Sequence, residues 1–198
     1  MGDRKIITIG REFGSGGREI GIELSKKLNI PFYDKEILAE AAKKSGYSQE
    51  IFERHDEKPT SSFLYALAVG VNNLAQSYQR PLTLEIYLAQ FDAIKKLAAE
   101  GPGIFIGRCS DYILADVPDA LHVFVRSDTQ SKVERVMEEY HVDADIAEEM
   151  CKRHDKDRSL YYNYYANVKW GDSRHYDLCI NSGKLGIQKS VDLIIDCL

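Results

Sequence analysis

The sequence predicts an α/β fold, a five-stranded parallel sheet covered by helices on both faces. Three observations carry that prediction. Five short apolar segments punctuate the chain, at 5–10, 31–33, 103–107, 121–126 and 176–181. Helical patterns separate them. Ile6, Ile7 and Ile9, like Ile104, Phe105 and Ile106, form nearly continuous apolar runs, which is how strands buried on both faces of a parallel sheet read.

Each element has its own signal. After the first strand, Ile20, Leu24 and Leu28 recur every fourth residue, and Asn29 with Pro31 ends the pattern before the next strand, which makes a βαβ unit. Asp34 stands where a second helix begins, with Ile37, Leu38 and Ala41 as its apolar stripe and Gly46 as its stop; the carboxylate fits an N-cap. Residues 47–100 carry helical patterns only, including 63–75 and 84–99, with Pro59 and Pro81 as breakers, and form a helical insertion beside a core of about 1–46 and 101–198. Gly101-Pro102-Gly103 returns the chain to strand, and Pro118 precedes the fourth strand. From 127 to 169 the pattern is helical and strongly charged, ending in Tyr161, Tyr162, Tyr164 and Tyr165, aromatic residues whose helical spacing suits packing better than base stacking. The last helix follows Gly186.

Composition narrows the function classes. With 198 residues, 44% hydrophobic and 29% charged, the chain suits one globular domain with a substantial core. A net charge of -5 argues against coating a nucleic-acid polymer, which needs a basic stripe. The four cysteines form no C-x-x-C pair and the five histidines no metal-site spacing, so neither a zinc site nor a disulfide framework is expected. No apolar run suits a signal peptide or membrane span, and the expectation is a soluble cytoplasmic chain with no membrane partner.

The chemistry is expected at the turn Gly10-Arg11-Glu12-Phe13-Gly14-Ser15-Gly16-Gly17-Arg18, between the first strand and the first helix. Glycines there permit positive φ and close backbone approach, so successive N–H groups and the helix N-terminus can cradle a phosphate. A tight connection without ligand is the plainer alternative. The loop is not G-x-x-x-x-G-K-[ST]; no lysine lies between Lys5 and Lys26, so Arg18 is the cation available in the lysine's place. Ser15, the only hydroxyl in the loop, is the candidate magnesium ligand. Arg153, Lys156 and Arg158, interleaved with Asp155 and Asp157, lie on a helical stretch; arginines that close over a moving phosphoryl group suit its developing charge, and a solvated charged face is the alternative. Arg108 after the third strand and Asp34 after the second lie at the carboxyl edge of the sheet, where ligands bind in open α/β folds.

The order of the segments 11–19, Phe32-Tyr33-Asp34-Lys35, Ile106-Gly107-Arg108-Cys109 and 176–181 resembles the cytidylate kinase-like family over nearly the whole chain. The resemblance implies a P-loop kinase fold, with the insertion as the nucleoside monophosphate-binding region and a lid at about 143–170. It further implies a nucleoside monophosphate kinase that transfers the γ-phosphoryl group of ATP, with magnesium, to CMP or dCMP. Arg11, Gly14, Ser15, Gly16, Gly17 and Arg18 would then hold the donor, Asp34, Arg108 and Asp157 the acceptor, and Arg18, Arg153 and Arg158 would act on the transferred group. A kinase of the same fold for another small acceptor, or a catalytically silent nucleotide-binding regulator, are the alternatives.

Overall fold

A computed structural model describes residues 6–58 and 82–198. The helical pattern at 63–75 and the breakers Pro59 and Pro81 lie outside the described residues. Five parallel strands, β1 (Ile6–Arg11), β2 (Phe32–Tyr33), β3 (Gly103–Ile106), β4 (Leu121–Arg126) and β5 (Leu178–Asn181), lie in the order β2-β3-β1-β4-β5. β5 begins two residues later than the apolar pattern suggests, because backbone pairing, not side-chain character, sets a strand's ends.

The described helices are α1 (Gly17–Leu28), α2 (Lys35–Ser45), α3 (Gln49–His55), α4 (Leu82–Glu100), α5 (Ser110–Ile113), α6 (Thr129–Tyr140), α7 (Ala144–Ala166) and α8 (Ser182–Asp196), the last broken at Gly186. Alternation along each strand divides the core in two. Ile7, Ile9, Ile104 and Ile106 meet Ile20 and Leu24 of α1 and Val191 and Ile194 of α8 on one face. Ile6 and Phe105 meet Ile37 and Leu38 of α2, Phe52 of α3 and Ile94 and Leu97 of α4 on the other. Each fully buried Ile or Leu of these sets contributes about 1.5–3 kcal/mol. Helix α4, expected within the insertion, thus packs in the same cluster as Phe105 of β3.

Asn29 closes α1 in the left-handed conformation, φ 52°, and Gly46 ends α2 at φ 76°. Of the four tyrosines near the end of α7, Tyr161 and Tyr162 are buried, Tyr165 stacks on Tyr87 of α4 at 3.9 Å, and Tyr164 is exposed. Tyr161 and Tyr162 find hydrogen-bond partners in Gln90 and Asp111, so this patch pins α7 to the body of the fold. Among the described residues no helix is long and apolar enough to cross a membrane.

Candidate active site

The loop after β1 owes its shape to two left-handed glycines, Gly14 at φ 73° and Gly16 at φ 74°, where a side chain would meet the Lys132 backbone of α6 or the side chains of Ile187 and Arg135. Gly16 is also the N-cap of α1 and supplies no side-chain cap, so the first-turn N–H groups of α1 are left to other partners. The loop is held on three sides. Phe13 N–H donates to Asp155 Oδ1 of α7 at 2.6 Å, and Lys132 joins Asp155 at 2.7 Å to Glu12 at 3.2 Å. The Phe13 ring stacks on His154 at 4.2 Å, and the Ser182 hydroxyl of α8 donates to the Ser15 carbonyl at 2.5 Å. Ser15, expected as a magnesium ligand, is fully buried and its hydroxyl donates to the Glu12 carbonyl at 2.8 Å; the turn needs that bond to close, and it draws the hydroxyl inward.

Two cavities open beside the loop. The first, about 570 Å³, is lined by the loop glycines 14, 16 and 17 with Glu12, Arg135 and Tyr140. The second, about 380 Å³, is lined by Asp34, Arg108, Asp56, Glu57, His154 and Asp157. Arg11, Arg18 and Arg158 line both. Volumes of this size hold small-molecule ligands.

The wall of the second cavity is built on strain. Gly107, Arg108 and Cys109, directly after β3, adopt φ of 64°, 54° and 57°, an uncommon run for residues that carry a Cβ. This turn aims the buried Arg108 guanidinium at two carboxylates: Nη1 bonds Asp34 at 2.9 Å, while Nε and Nη2 fork onto Asp56 at 2.8 and 2.6 Å. Asp34 also pairs with Arg18 at 2.8 Å. It occupies the N-cap position of α2 as expected, but its carboxylate makes no cap bond, because the two arginines hold it. Burial pushes the Asp34 pKa up, and Arg108 and Arg18 reverse this and hold it below the usual carboxylate range.

Glu57 completes the cluster. Its Oε1 accepts from Arg11 Nη1 at 2.6 Å and from the Arg108 backbone N–H at 2.8 Å, and its Oε2 lies 3.3 Å from Arg158 Nε. Burial would raise its pKa, but the charges of Arg11 and Arg158 win and keep it well below the carboxylate range. Arg158 itself, largely desolvated and beside Arg11, is brought down to about 10 and stays cationic at neutral pH. Burial, with Arg158 and Arg153 nearby, lowers the His154 pKa.

Of the residues singled out in the sequence, Arg11, Gly14, Gly16, Gly17, Arg18, Asp34, Arg108, Asp157 and Arg158 line one or both cavities. Arg153 is exposed on α7 and belongs to neither lining; a helix position five residues before Arg158 points elsewhere. Sequence reasoning missed Asp56, Glu57, Lys132 and Arg135. The acidic pair at the end of α3 was the one local signal, whereas Lys132 and Arg135 look like any cations of a charged helix. Among the described residues no group of three or more His, Cys, Asp or Glu side chains is set to hold a metal.

The model of the cytidylate kinase-like family matches residues 6–184. A cytidylate kinase from Methanococcus vannielii is 30% identical over 186 residues, covering 91% of this chain and 92% of that protein. A stretch of 99 residues is 28% identical to a uronate isomerase from Corynebacterium glutamicum; it spans 50% of this chain and only 19% of that protein. Among solved structures, an uncharacterized protein from Eubacterium ventriosum is 34% identical, with a TM-score of 0.73 and 98% of each chain covered. A shikimate kinase from Bacteroides thetaiotaomicron shares the fold at 13% identity, with a TM-score of 0.55 over 98% of this chain and 97% of the other.

Proposed function

The chain belongs to the cytidylate kinase-like family, and we propose that it is a nucleoside monophosphate kinase that moves the γ-phosphoryl group of ATP to CMP or dCMP. The observation that carries this reading is the sharing of Arg11, Arg18 and Arg158 between two adjoining cavities. A phosphoryl group passing from a donor in one to an acceptor in the other meets three guanidinium groups on the way. Phosphoryl transfer asks the protein mainly for positioning and for charge on the equatorial oxygens, and this arrangement supplies both.

In this reading the donor's phosphates lie on the loop 14–18 and the N-terminus of α1, with Arg18 in the role a P-loop lysine takes elsewhere. The acceptor's phosphate enters the second cavity between Arg108 and Arg158, and Asp34 sets the orientation of Arg108 and Arg18. A phosphate oxygen of the acceptor attacks the γ-phosphorus as the bond to the β-phosphate oxygen breaks, leaving ADP and a nucleoside diphosphate. Magnesium, carried chiefly by the donor's phosphates, needs only one or two protein oxygens, and Glu12, Glu19, Glu138 and Glu139 are the carboxylates that line the first cavity. Arg153 stays a candidate lid residue, one that needs a change in α7 to reach the transferred group.

A second reading, a kinase for another small acceptor, is favoured by one feature. Among its described lining residues the second cavity offers Leu38 as the single aliphatic side chain against many charged ones, a surface that suits a compact polar molecule as well as a nucleobase. ADP release from ATP-magnesium, with CMP, dCMP, UMP and AMP supplied separately, separates the readings. Release with CMP or dCMP that falls about 100-fold or more in Arg18→Ala supports the kinase reading. Release with none of the four refutes the nucleotide acceptor, and tight nucleotide binding without turnover then identifies a silent binding protein.

A further inference from the structure

The cationic groups of the second cavity already hold an anion, and it belongs to the chain. Two guanidinium groups, Arg11 and Arg158, and the Arg108 backbone N–H all converge on the carboxylate of Glu57. Two guanidinium groups and a main-chain amide are a donor set that suits phosphate oxygens. The mostly buried cluster sets Arg11, Arg108 and Arg158 against Asp34, Asp56 and Glu57, three charges of each sign, with Arg18 on Asp34 at the cavity mouth adding one cation. Charges so nearly balanced give a phosphate monoester, with a charge of about −1.5 to −2, little reason to leave water. Take Glu57 away and one guanidinium is unbalanced, with Arg18 at the cavity mouth as the second.

The backbone shows what this arrangement costs. Glu57 sits at φ 49°, left-handed for a residue with a side chain, at about 1–2 kcal/mol. Gly107 lies opposite at φ 64°, and a Cβ there would overlap Arg11 Nη1 and Glu57 Oε1, so the contact needs glycine in the strained turn after β3. Helix α3, which the acidic pair directly follows, is only seven residues long, and Phe52 is its one buried residue, so among the described residues few buried side chains oppose its release.

We propose that Glu57 is an internal stand-in for the acceptor's phosphate: its carboxylate occupies the clamp of Arg11, Arg108 and Arg158, and the acceptor binds by displacing it. The inference rests on the reading that this cluster receives a phosphate group. Displacement couples acceptor binding to movement of α3, so the arginines are released toward the donor only when a phosphate takes the carboxylate's place, and an empty enzyme keeps them away from ATP and water.

Titration of the full-length protein with inorganic phosphate, by calorimetry, tests this without turnover. Glu57→Gln keeps the shape and removes the charge, and is expected to bind phosphate at least about tenfold more tightly than wild type. Glu53→Gln removes an exposed carboxylate that lines the same cavity and accepts from Gln49, and is expected to change the affinity less than twofold, because water and salt screen an exposed charge outside the clamp. Equal or weaker phosphate binding in Glu57→Gln, or equal tightening in Glu53→Gln, overturns the proposal. Should Glu57→Gln fail to fold, hydrogen exchange of the wild type decides: phosphate is expected to speed amide exchange across 49–57, and unchanged exchange there overturns the idea. Failure of every nucleotide acceptor would defeat the kinase reading while leaving the phosphate titration decisive for Glu57.

Discussion

Replacing Arg108 by alanine removes the guanidinium that hydrogen-bonds both Asp34 and Asp56. The guanidinium makes four hydrogen bonds, two to Asp56 at 2.8 and 2.6 Å, one to Asp34 and one to the Ile106 carbonyl, both at 2.9 Å. Alanine meets the same left-handed φ of 54° as arginine does, so the backbone cost is common to both and the difference lies in the carboxylates. Asp34 keeps Arg18, but Asp56 loses both guanidinium bonds. Breaking a buried pair from one side costs about 3–5 kcal/mol. At about 2–4 °C per kcal/mol for a chain of this size, the melting temperature should fall by about 6–20 °C. Urea denaturation of wild type, Arg108→Ala and Arg108→Lys at neutral pH measures this directly, with the lysine variant intermediate because a point charge cannot fork onto Asp56. The pH dependence supplies a second check. Burial already holds the Asp56 carboxyl above the usual carboxylate range, and losing Arg108 removes a charge that pulls it down, so protonation favours the folded variant and the deficit relative to wild type shrinks as pH falls toward the unfolded carboxyl pKa of about 4. A loss under about 1 kcal/mol, the size of an exposed ion pair, would refute the reasoning.

Three further outcomes follow from the same geometry. Gly107→Ala should lose at least about 1–2 kcal/mol from the left-handed backbone alone, and more as the new Cβ pushes Arg11 off Glu57; an unchanged urea midpoint would show that the turn relaxes freely. Asp155→Asn should lose about 1.5–3 kcal/mol, because it weakens the charge-assisted bond from Phe13 N–H and leaves Lys132 with Glu12 alone, and hydrogen exchange of the loop amides should rise with it. In the wild type the folded pKa values of Asp34 and Glu57 are depressed, so their stabilisation is present above the unfolded carboxyl pKa of about 4 and disappears as pH falls through the folded values. Acid titration of stability should therefore be flatter in Glu57→Gln than in wild type, and identical curves would remove Glu57 from the account.

Much of the fold was legible because its signals are local. Ile7, Ile9, Ile104 and Ile106 announce buried parallel strands within a few residues of themselves, and the sheet contains all four. Asn29 and Gly46 announce helix ends by their tolerance of positive φ, and both adopt it. Gly14 and Gly16 announce a loop that bends in the left-handed region, and it does. At Asp34 the local reading was incomplete: position alone fits an N-cap, and the partners that take its carboxylate are 16 and 74 residues away. Ser15 is similar, since only the folded loop shows its hydroxyl turned inward to Glu12.

By itself, then, the sequence determined the parallel sheet, the glycine turn after β1, the family and most of the cations at the carboxyl edge, because periodicity, backbone freedom and residue chemistry are properties of neighbours along the chain. The tertiary structure alone decided which carboxylates neutralise those cations. Glu57 meets Arg11 across 46 residues and the Arg108 amide across 51, and Lys132 meets Glu12 across 120. Coulomb energy depends on distance in space, not on separation along the chain, and no pattern in a linear sequence records a distance that the fold has yet to create.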